Sequence, residues 1–375
     1  MLILKEAIFL DDLSRISVVL PSLDPDEKLI AVVDGLLEHG FSDIILVNDG
    51  SKPENLHYFT DLAAGHPEIT LLQHEVNRGK GAALKNAFRY FLDNRPEGLG
   101  VVTVDGDNQH HPEDTRACCE HMLETGHVTL GCRDFTLDHV PARSRFGNHT
   151  TSLIFKLFVG MTISDTQTGL RAIPRKVLAD LVDVYGDRFE YETNMLLAFK
   201  EKGIDFDEVK IRTVYIEENK SSHFRVLHDS WRIYKLILAH FFRYTLSSIV
   251  SFFADAAGVF LLTRLLAASL ADPLLSGVAT LGARILSSLL NFFMNKNLVF
   301  KTRVSTGKAM AKYYALAVPQ MIIQWLLNQA FYTLLHISPD AAALRTLIHI
   351  LVMTVLFLVS FTIQQRWVFA PQKSK

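Results

Sequence analysis

Two acidic residues separated by one glycine follow the apolar segment 100–104 and have the clearest chemistry in this sequence. Asp105 and Asp107 supply hard oxygen ligands at the end of a predicted buried strand. Mg²⁺ and Mn²⁺ bind one or two carboxylates together with water and phosphate oxygens. The pattern therefore predicts a divalent-cation site that holds a diphosphate. An ordinary surface turn is the alternative, because Asp-Gly-Asp also suits a turn.

Alternating strand and helix patterns place these aspartates at one edge of a predicted sheet. Apolar runs typical of buried strands lie at 16–20, 44–47, 70–72 and 100–104, and helical patterns lie between them. This order predicts a mostly parallel sheet that is covered on both faces. Ligands of such sheets bind at the carboxyl ends of the strands. Pro21, Asp49 and Asp105 all lie at such ends, so we expect them to share one crevice.

Two other groups at this edge have side chains suited to nucleotide binding. Asp49 precedes Gly-Ser and is predicted either to accept a hydrogen bond from a base or ribose or to form a turn. Arg78 and Lys80 alternate with glycines at a helix start, where backbone N–H groups and cations can meet a diphosphate. The spacing of a Walker A loop is missing from this segment, which argues against an ATPase.

Eight motifs in a fixed order make residues 13 to about 240 similar to a known enzyme family. The motifs lie at 20–21, 47–51, 77–81, 105–112, 131–133, 144–148, 165–171 and 189–192. Their order resembles family 2 glycosyltransferases of the GT-A fold, and within them the polyprenyl-phosphate hexosyltransferases, which include dolichyl-phosphate mannose synthases. The resemblance implies an α/β, Rossmann-like domain. Two segments depart from the family: 22–27 replaces an aromatic-Asn-Glu sequence, and Asn48-Asp49 replaces a pair of aspartates.

The resemblance implies roles for the matching residues. Asp107 and Gln109 hold Mg²⁺ or Mn²⁺ on the diphosphate of a nucleotide-sugar donor, and Asp105 lies on the ribose side or near the metal. Arg133 and Arg145 clamp the phosphate of a lipid acceptor, with a surface ion pair as the alternative for either arginine. With Asp105 and Asp107 these arginines form the predicted catalytic group. The other predicted residues are Pro21, Asp24, Asp49 and Lys80 on the donor side, and Asp165, Gln167, Arg171, Glu190 and Glu192 on the acceptor side. On spacing alone, Glu190 and Glu192 are ordinary exposed acids.

The second half of the chain has few charged residues and long apolar runs. Four segments are long enough to cross a bilayer: 245–267, 273–295, 313–335 and 343–365. Lysine and arginine are concentrated in the loop between the second and third segments and in the C-terminal tail. The positive-inside rule therefore predicts that the catalytic half, this loop and the C-terminus face the cytosol. The predicted organisation is a cytosolic domain at 1–224, an interfacial helix at 225–243 and a membrane domain at 244–375.

Two similar motifs in the membrane half, at 291–300 and 365–369, resemble the four-helix GtrA-type membrane domain. The basic and aromatic stretch 220–243 predicts an interfacial helix that positions lipid phosphate, with a plain positively charged flank as the alternative. The apolar segment 153–161 is too short to span and is predicted to be a second interfacial helix.

One pair of charges lies inside the predicted spans. Asp255 and Arg284 are near the middle of the first and second spans, at similar distances from the loop that joins them. Because a charge at mid-bilayer costs at least about 2.5–3.5 kcal/mol, we expect an ion pair. A structural clamp is the favoured role, and contact with a lipid-linked head group is the alternative.

The resemblance, together with these features, implies a metal-dependent hexosyltransferase that makes glycolipid for the cell envelope, and the family's single-displacement chemistry implies inversion. The donor is of the UDP-glucose or GDP-mannose type and the acceptor is polyprenyl phosphate, with UDP-glucose and undecaprenyl phosphate favoured. The predicted enzyme is a multi-pass protein of the cytoplasmic membrane, compatible with a homo-oligomer and without a nucleic-acid partner. A lipid-linked sugar transporter, whose soluble domain only binds nucleotide sugar, is the alternative. A processive polysaccharide synthase is rejected, because its Gln-x-x-Arg-Trp motif is not matched at 364–367.

Overall fold

The structure is a computed structural model, and it describes residues 12–138, 140–214, 226–271, 274–300, 302, 304–338 and 341–370. The chain forms two compact units. The first contains the residues up to Lys156 and from Met161 to Tyr234. The second contains Leu157–Gly160 and the residues from Lys235 onward.

The first unit is built around a seven-stranded sheet. Its strands are β1 (Ile16–Ser22), β2 (Ile44–Asn48), β3 (Ile69–Gln73), β4 (Gly100–Thr103), β5 (Val128–Arg133), β6 (Arg171–Pro174) and β7 (Phe206–Ile211). The order across the sheet is β3-β2-β1-β4-β6-β5-β7. Strand β6 is antiparallel to β4 and β5, and the other neighbouring strands are parallel. The predicted mostly parallel sheet is confirmed.

Helices cover the sheet, which explains the continuous apolar runs in the central strands. The helices are α1 (Lys28–Glu38), α2 (Leu56–Gly65), α3 (Lys80–Asn94), α4 (Pro112–Thr125), α5 (Ala142–Ile154), α6 (Arg175–Val182) and α7 (Glu190–Lys202). A 3₁₀ turn at Pro53–Asn55 precedes α2, and a π-helical turn at Phe155–Val159 follows α5. Consecutive β1 residues Val18, Val19 and Leu20 are all fully buried, as expected for a strand with helices on both faces.

The register of the sheet brings the chemically informative segments to one edge. Ser22 of β1 lies beside Asn48 of β2, and Val19 lies beside Thr103 of β4. The segments that follow β2 and β4 therefore leave the sheet at the same edge. Because β6 runs antiparallel to β4, the segment before Arg171 also reaches this edge. Thr103 Oγ1 donates to the carbonyl oxygen of Gly169 at 2.6 Å.

The second unit is helical. Its helices are α8 (Val226–Leu266), of which the residues from Lys235 belong to this unit, α9 (Leu274–Met294), α10 (Thr306–Leu334) and α11 (Ala342–Ile363). The π-helical turns at Asn295–Val299 and Gln364–Val368 follow α9 and α11. Among the described residues, three helices are long and apolar enough to cross a membrane: Phe241–Leu266, Leu274–Val299 and Ala343–Val368. Helix α10 is long enough, but Gln320, Gln324 and Asn328 lower its hydropathy. Three of the four predicted spans are thus identified, and the third stays a prediction.

The structure describes the second predicted interfacial segment, 153–161, in full and the first, 220–243, only from Val226. Residues 220–225 lie outside the described residues. From Val226 onward the first predicted interfacial helix is continuous with the first span, as a single helix of 41 residues. In the segment 153–161, helix α5 gives way to the π-helical turn. The Phe158 carbonyl accepts a hydrogen bond from Gln365 Nε2 at 2.7 Å, within the second unit.

The two helix hairpins of this unit, α8–α9 and α10–α11, repeat at an interval of 69 residues. Equivalent pairs, all buried except for the half-buried Phe300, are Tyr244 and Tyr313, Phe292 and Phe361, Asn295 and Gln364, Val299 and Val368, and Phe300 and Phe369. Each π-helical turn is closed in the same way by the phenylalanine that follows it. The N–H of Phe300 donates to the carbonyl of Asn295, and the N–H of Phe369 donates to the carbonyl of Gln364, both at 2.8 Å. Equivalent residues also meet across the repeat. Asn295 Nδ2 donates to Gln364 Oε1 at 3.1 Å, and the rings of Phe300 and Phe369 stack with their centres 5.1 Å apart.

The expected ion pair between the first two spans is present. Arg284 Nη2 lies 3.3 Å from Asp255 Oδ2, and Ser287 Oγ donates to Asp255 Oδ1 at 2.9 Å. The Arg284 side chain is 67% exposed on the surface of this unit. At the equivalent positions of the second hairpin the chain has Gln324 and Met353, so the hairpin architecture does not itself require the charges.

Candidate active site

A cluster of three charged side chains lies beyond the end of β4. Lys80 Nζ lies 2.7 Å from Asp105 Oδ1 and 3.0 Å from Glu192 Oε1, and we call these residues the Lys80 cluster. Burial opposes the charge on Lys80, but Asp105 and Glu192 outweigh it and raise the pKa of the lysine. Burial also opposes the charge on Asp105, but Lys80 and His110 hold the pKa of that carboxyl well below its usual range. Lys80 and Asp105 are therefore both charged at neutral pH.

Gly169 and His110 enclose the other side of Asp105. A Cβ added at Gly169 would overlap with the Asp105 carboxylate, so only glycine leaves room for the acid in this position. His110 is 7% exposed, and its Nε2 lies 3.6 Å from Asp105 Oδ2. Asp105 is therefore held in place from two sides by backbone and buried side chain, and on a third side by Lys80.

The second aspartate, Asp107, is half-buried close to Asp105. Its Oδ1 accepts the N–H of Gln109 at 3.2 Å. Burial and the charge of Asp105 raise the pKa of Asp107. A divalent cation relieves such repulsion between carboxylates, so these residues fit Mg²⁺ or Mn²⁺. Within the described ranges, no three His, Cys, Asp or Glu side chains come together so as to hold a metal ion.

Asp49 shapes the loop that presents Lys80. Its carboxylate is buried and accepts the N–H of Arg78 at 3.0 Å and that of Gly79 at 2.7 Å, while His74 Nδ1 lies 2.7 Å away. Gly79 has a φ of +102°, a conformation that favours glycine. Both oxygens of Asp49 are thus occupied inside the protein. Its predicted contact with a base or ribose stays a prediction.

The other two donor-side residues lie where β1 ends. Pro21 is within β1 and lies beside Val47 of β2. The backbone N–H of Asp24 donates to Ser51 Oγ at 2.8 Å, and Asp24 Oδ1 accepts the N–H of Lys52 at 2.8 Å. Asp24 therefore ties the segment after β1 to the segment after β2, and the contact of both residues with a donor stays a prediction.

Arg133 forms a two-pronged ion pair with a fully buried acid. Its Nε lies 2.7 Å from Asp165 Oδ2 and its Nη2 lies 3.2 Å from Asp165 Oδ1. The guanidinium also lies 5.2 Å from the centre of the Phe135 ring. Asp165 Oδ1 further accepts the N–H of Gln167 at 3.0 Å. The ion pair that we considered as the alternative for Arg133 is therefore present, and the contact with acceptor phosphate stays a prediction.

Arg171 supports the site from the interior. Its side chain is among the largest that are fully buried, and the residue is 1% exposed. Its Nε donates to the carbonyl of Thr168 at 3.1 Å, and its Nη1 donates to the carbonyl of Glu192 at 2.9 Å. Burial rules out direct contact of Arg171 with an acceptor in this conformation. Its role in organising the acceptor side stays a prediction.

The remaining acceptor-side residues are more open. Arg145 in α5 is exposed and donates from Nη2 to the carbonyl of Leu137 at 3.0 Å. Gln167 is also exposed, which leaves its side chain accessible to a ligand. Glu190 Oε1 lies 3.4 Å from the N–H of Arg188 at the start of α7.

The sequence analysis gave Glu192 an acceptor-side role together with Glu190, and it gave His110 no role. Glu190 and Glu192 are two residues apart on α7 and so point in different directions, and the packing of the helix places Glu192 in the Lys80 cluster. No pattern in the sequence distinguishes between the two acids. His110 lies three residues after Asp107, but its burial against Asp105 depends on the fold.

Comparisons with known proteins match both halves of the chain. Residues 17–182 match the family described as glycosyl transferase family 2, and residues 243–369 match the GtrA/DPMS transmembrane domain. The uncharacterized protein MJ1222 of Methanocaldococcus jannaschii is 28% identical over 233 residues, which cover 61% of this chain and 93% of that protein. A UDP-N-acetylglucosamine–dolichyl-phosphate N-acetylglucosaminyltransferase of Methanococcus voltae is 25% identical over 244 residues, covering 60% and 95%. Among solved structures, the mannosyltransferase PcManGT of Pyrobaculum calidifontis, in complex with GDP-Man and Mn²⁺, is 14% identical with a TM-score of 0.40 and covers 94% of this chain and 87% of that one.

Proposed function

We propose that this chain, a family 2 glycosyltransferase joined to a GtrA/DPMS transmembrane domain, transfers a hexose from a nucleoside diphosphate sugar to polyprenyl phosphate. The Lys80 cluster beside Asp107 carries this proposal, because it combines carboxylates for a cation with an ammonium for a diphosphate. The name of the Methanococcus voltae relative, a dolichyl-phosphate glycosyltransferase, supports a polyprenyl phosphate acceptor. UDP-glucose with undecaprenyl phosphate remains our favoured pair, and GDP-mannose is the second donor to test.

The donor side of the site binds the nucleotide sugar through its diphosphate. Asp105, Asp107 and Gln109 are the residues that hold Mg²⁺ or Mn²⁺. A bound divalent cation stabilises the charge that develops on the leaving diphosphate. Lys80 supplies a second positive charge at the start of α3, and the backbone of the preceding glycine-rich loop lets the diphosphate approach closely.

The acceptor side must hold one anion beside another. A lipid phosphate with a second pKa of about 6 is largely dianionic at neutral pH, so it needs no strong general base. It does need cations, and Arg133 and Arg145 provide them. Asp165 fixes the Arg133 guanidinium, and Arg145 is exposed and so accessible to the acceptor. The acceptor oxygen bonds to the anomeric carbon as the bond to the diphosphate oxygen breaks, which inverts the configuration.

The membrane unit is proposed to cross the bilayer four times, with the catalytic unit in the cytosol. Helix α10 is less apolar than the other three, but it is the counterpart of α8 in the 69-residue repeat. Since α8 contains a candidate span, the repeat supports a span in α10 as well. An even number of spans places both ends of this unit on the same side, together with the lysines and arginines between α9 and α10.

The proposal is tested by adding polyprenyl phosphate to the purified full-length protein with Mg²⁺ and a UDP- or GDP-hexose. We expect release of UDP or GDP to depend on the lipid phosphate and to be lost in Asp107→Asn. Nucleotide binding without any lipid-dependent release contradicts the transferase proposal. It would favour the binding-and-transport alternative, for which movement of a lipid-linked sugar across vesicles is the next assay.

A further inference from the structure

The observed position of Lys80 competes with the metal site proposed above. Its Nζ lies 2.7 Å from Asp105 Oδ1, so an ammonium already occupies an oxygen beside Asp107. Two cations at the same carboxylate oxygen repel each other strongly in a partly buried site. Binding of a metal at Asp105 therefore requires that Lys80 moves away from this oxygen.

The backbone around Lys80 is too firmly held to supply this movement. Asp49 accepts the N–H groups of Arg78 and Gly79, and the N–H of Ala82 donates to the carbonyl of Asp187 at 2.9 Å. A Cβ added at Gly79 would overlap with the same carbonyl oxygen, which shows how closely the two segments pack. The start of α3 is therefore fixed on two sides. The flexible side chain of Lys80 is the part that can change position.

Glu192 provides a second partner for the moving ammonium. Its Oε1 lies 3.0 Å from Lys80 Nζ, and its own carbonyl is held by the buried Arg171. Glu192 is only 15% exposed in its side chain. A lysine that leaves Asp105 therefore keeps one carboxylate nearby, and the start of α3 keeps it facing the position proposed for the diphosphate.

We propose that Lys80 is a charge switch that neutralises Asp105 in the free enzyme and releases it when the donor diphosphate binds. The diphosphate attracts the ammonium more strongly than one carboxylate does, because it carries more negative charge. Asp105 then becomes available to the cation beside Asp107. Nucleotide and metal thereby strengthen each other's binding, and linkage requires the same factor in both directions. This inference rests on the proposed function for the nature of the donor.

Lys80→Met tests the switch, because the proposal predicts opposite changes in two affinities. The full-length protein in detergent is titrated with Mn²⁺, and the free ion is measured by electron paramagnetic resonance. UDP and GDP are titrated separately by calorimetry at saturating Mn²⁺. Without nucleotide we expect Lys80→Met to bind Mn²⁺ roughly tenfold more tightly, because one charge-assisted competitor is lost. With Mn²⁺ present we expect it to bind the nucleotide roughly tenfold more weakly.

Lys85→Met is the matched control, because Lys85 lies on the same helix and pairs with Asp187 at 2.6 Å. It should leave both affinities unchanged. Glu192→Gln is the second variant, and it tests the switch even if Lys80→Met does not fold. It removes the alternative partner of Lys80, so we expect weaker binding of Mn²⁺ in the absence of nucleotide.

Mn²⁺ binding that is unchanged or weaker in a Lys80→Met protein with the wild-type melting temperature overturns the switch. If that variant does not fold, unchanged or tighter Mn²⁺ binding in Glu192→Gln overturns it instead. A protein that transfers sugar but lacks these affinity changes contradicts the switch alone. If Lys80→Met shows both predicted affinity changes but the wild-type protein transfers no sugar, the result contradicts the proposed function alone. No Mn²⁺ binding to the wild type at millimolar concentration contradicts both.

Discussion

Gly169→Ala places a methyl group where the carboxylate of Asp105 lies. The added Cβ would overlap with both Asp105 oxygens, so the acid must move or the segment before β6 must shift. The Gly169 carbonyl is fixed by Thr103 Oγ1 at 2.6 Å, which leaves movement of Asp105 as the easier response. Such movement breaks the 2.7 Å contact with Lys80 and displaces a proposed metal ligand.

The expected loss follows from the interactions that the methyl group removes. A hydrogen bond to a charged group contributes about 1.5–3 kcal/mol, so kcat/KM for hexose transfer should fall roughly tenfold to 150-fold. Gly147→Ala in α5 is the control, because a Cβ there meets nothing within 4 Å. Initial rates are compared with the thermal unfolding midpoint of each variant. Equal activity of the two variants would refute the claim that Asp105 must keep this position.

Three other predictions address the acceptor, the metal and the membrane unit. Arg145→Ala should lower kcat/KM for polyprenyl phosphate roughly tenfold to a hundredfold, because an exposed cation is lost, while leaving nucleotide affinity unchanged by calorimetry. Removal of divalent ions with EDTA should abolish transfer, and either Mg²⁺ or Mn²⁺ should restore it; full activity in EDTA contradicts the proposed site. Asp255→Ala and Arg284→Ala should each lower the melting temperature in liposomes, since an unpaired charge at mid-bilayer costs at least about 2.5–3.5 kcal/mol. The charge-swapped double variant should recover part of this loss, and wild-type melting of both single variants would contradict the pairing.

The sequence predicted the sheet well because buried parallel strands have a simple pattern. The continuous apolar runs that form β1, β2 and β4 cannot be exposed on either face, so their assignment did not depend on tertiary contacts. The antiparallel strand β6 carries no such signal, because it has four residues and begins with the buried Arg171. The mixed character of this side of the sheet therefore appeared only in the structure.

The candidate site shows what local patterns leave open. The Asp-Gly-Asp segment and the glycine-flanked Lys80 were recognisable, because their chemistry is local. The inward orientation of Asp49 was not, since it depends on the loop at Arg78 and Gly79 approaching from elsewhere in the chain. The same limit applies to the choice of Glu192 over Glu190, which the packing of α7 decides.

The repeat in the membrane half could be predicted only in part from the sequence. The similarity between 291–300 and 365–369 is visible in the sequence. The contacts between equivalent residues in the structure show that it is part of a full repeat of the two hairpins. Composition alone identifies three spans among the described helices, because the glutamines and asparagine of α10 reduce its hydropathy. The repeat supplies an independent argument for the fourth.

Mass spectrometry of lipid extracted after reaction is the measurement that tests hexose transfer most directly. Full-length protein is incubated with Mg²⁺ or Mn²⁺, polyprenyl phosphate and each of a panel of UDP- and GDP-hexoses, beside Asp107→Asn. We predict that the lipid phosphate gains the mass of one hexose residue with at least one donor, and that the gain is absent in Asp107→Asn. Unmodified lipid with every donor, from a folded protein that still binds nucleotide, would contradict the account.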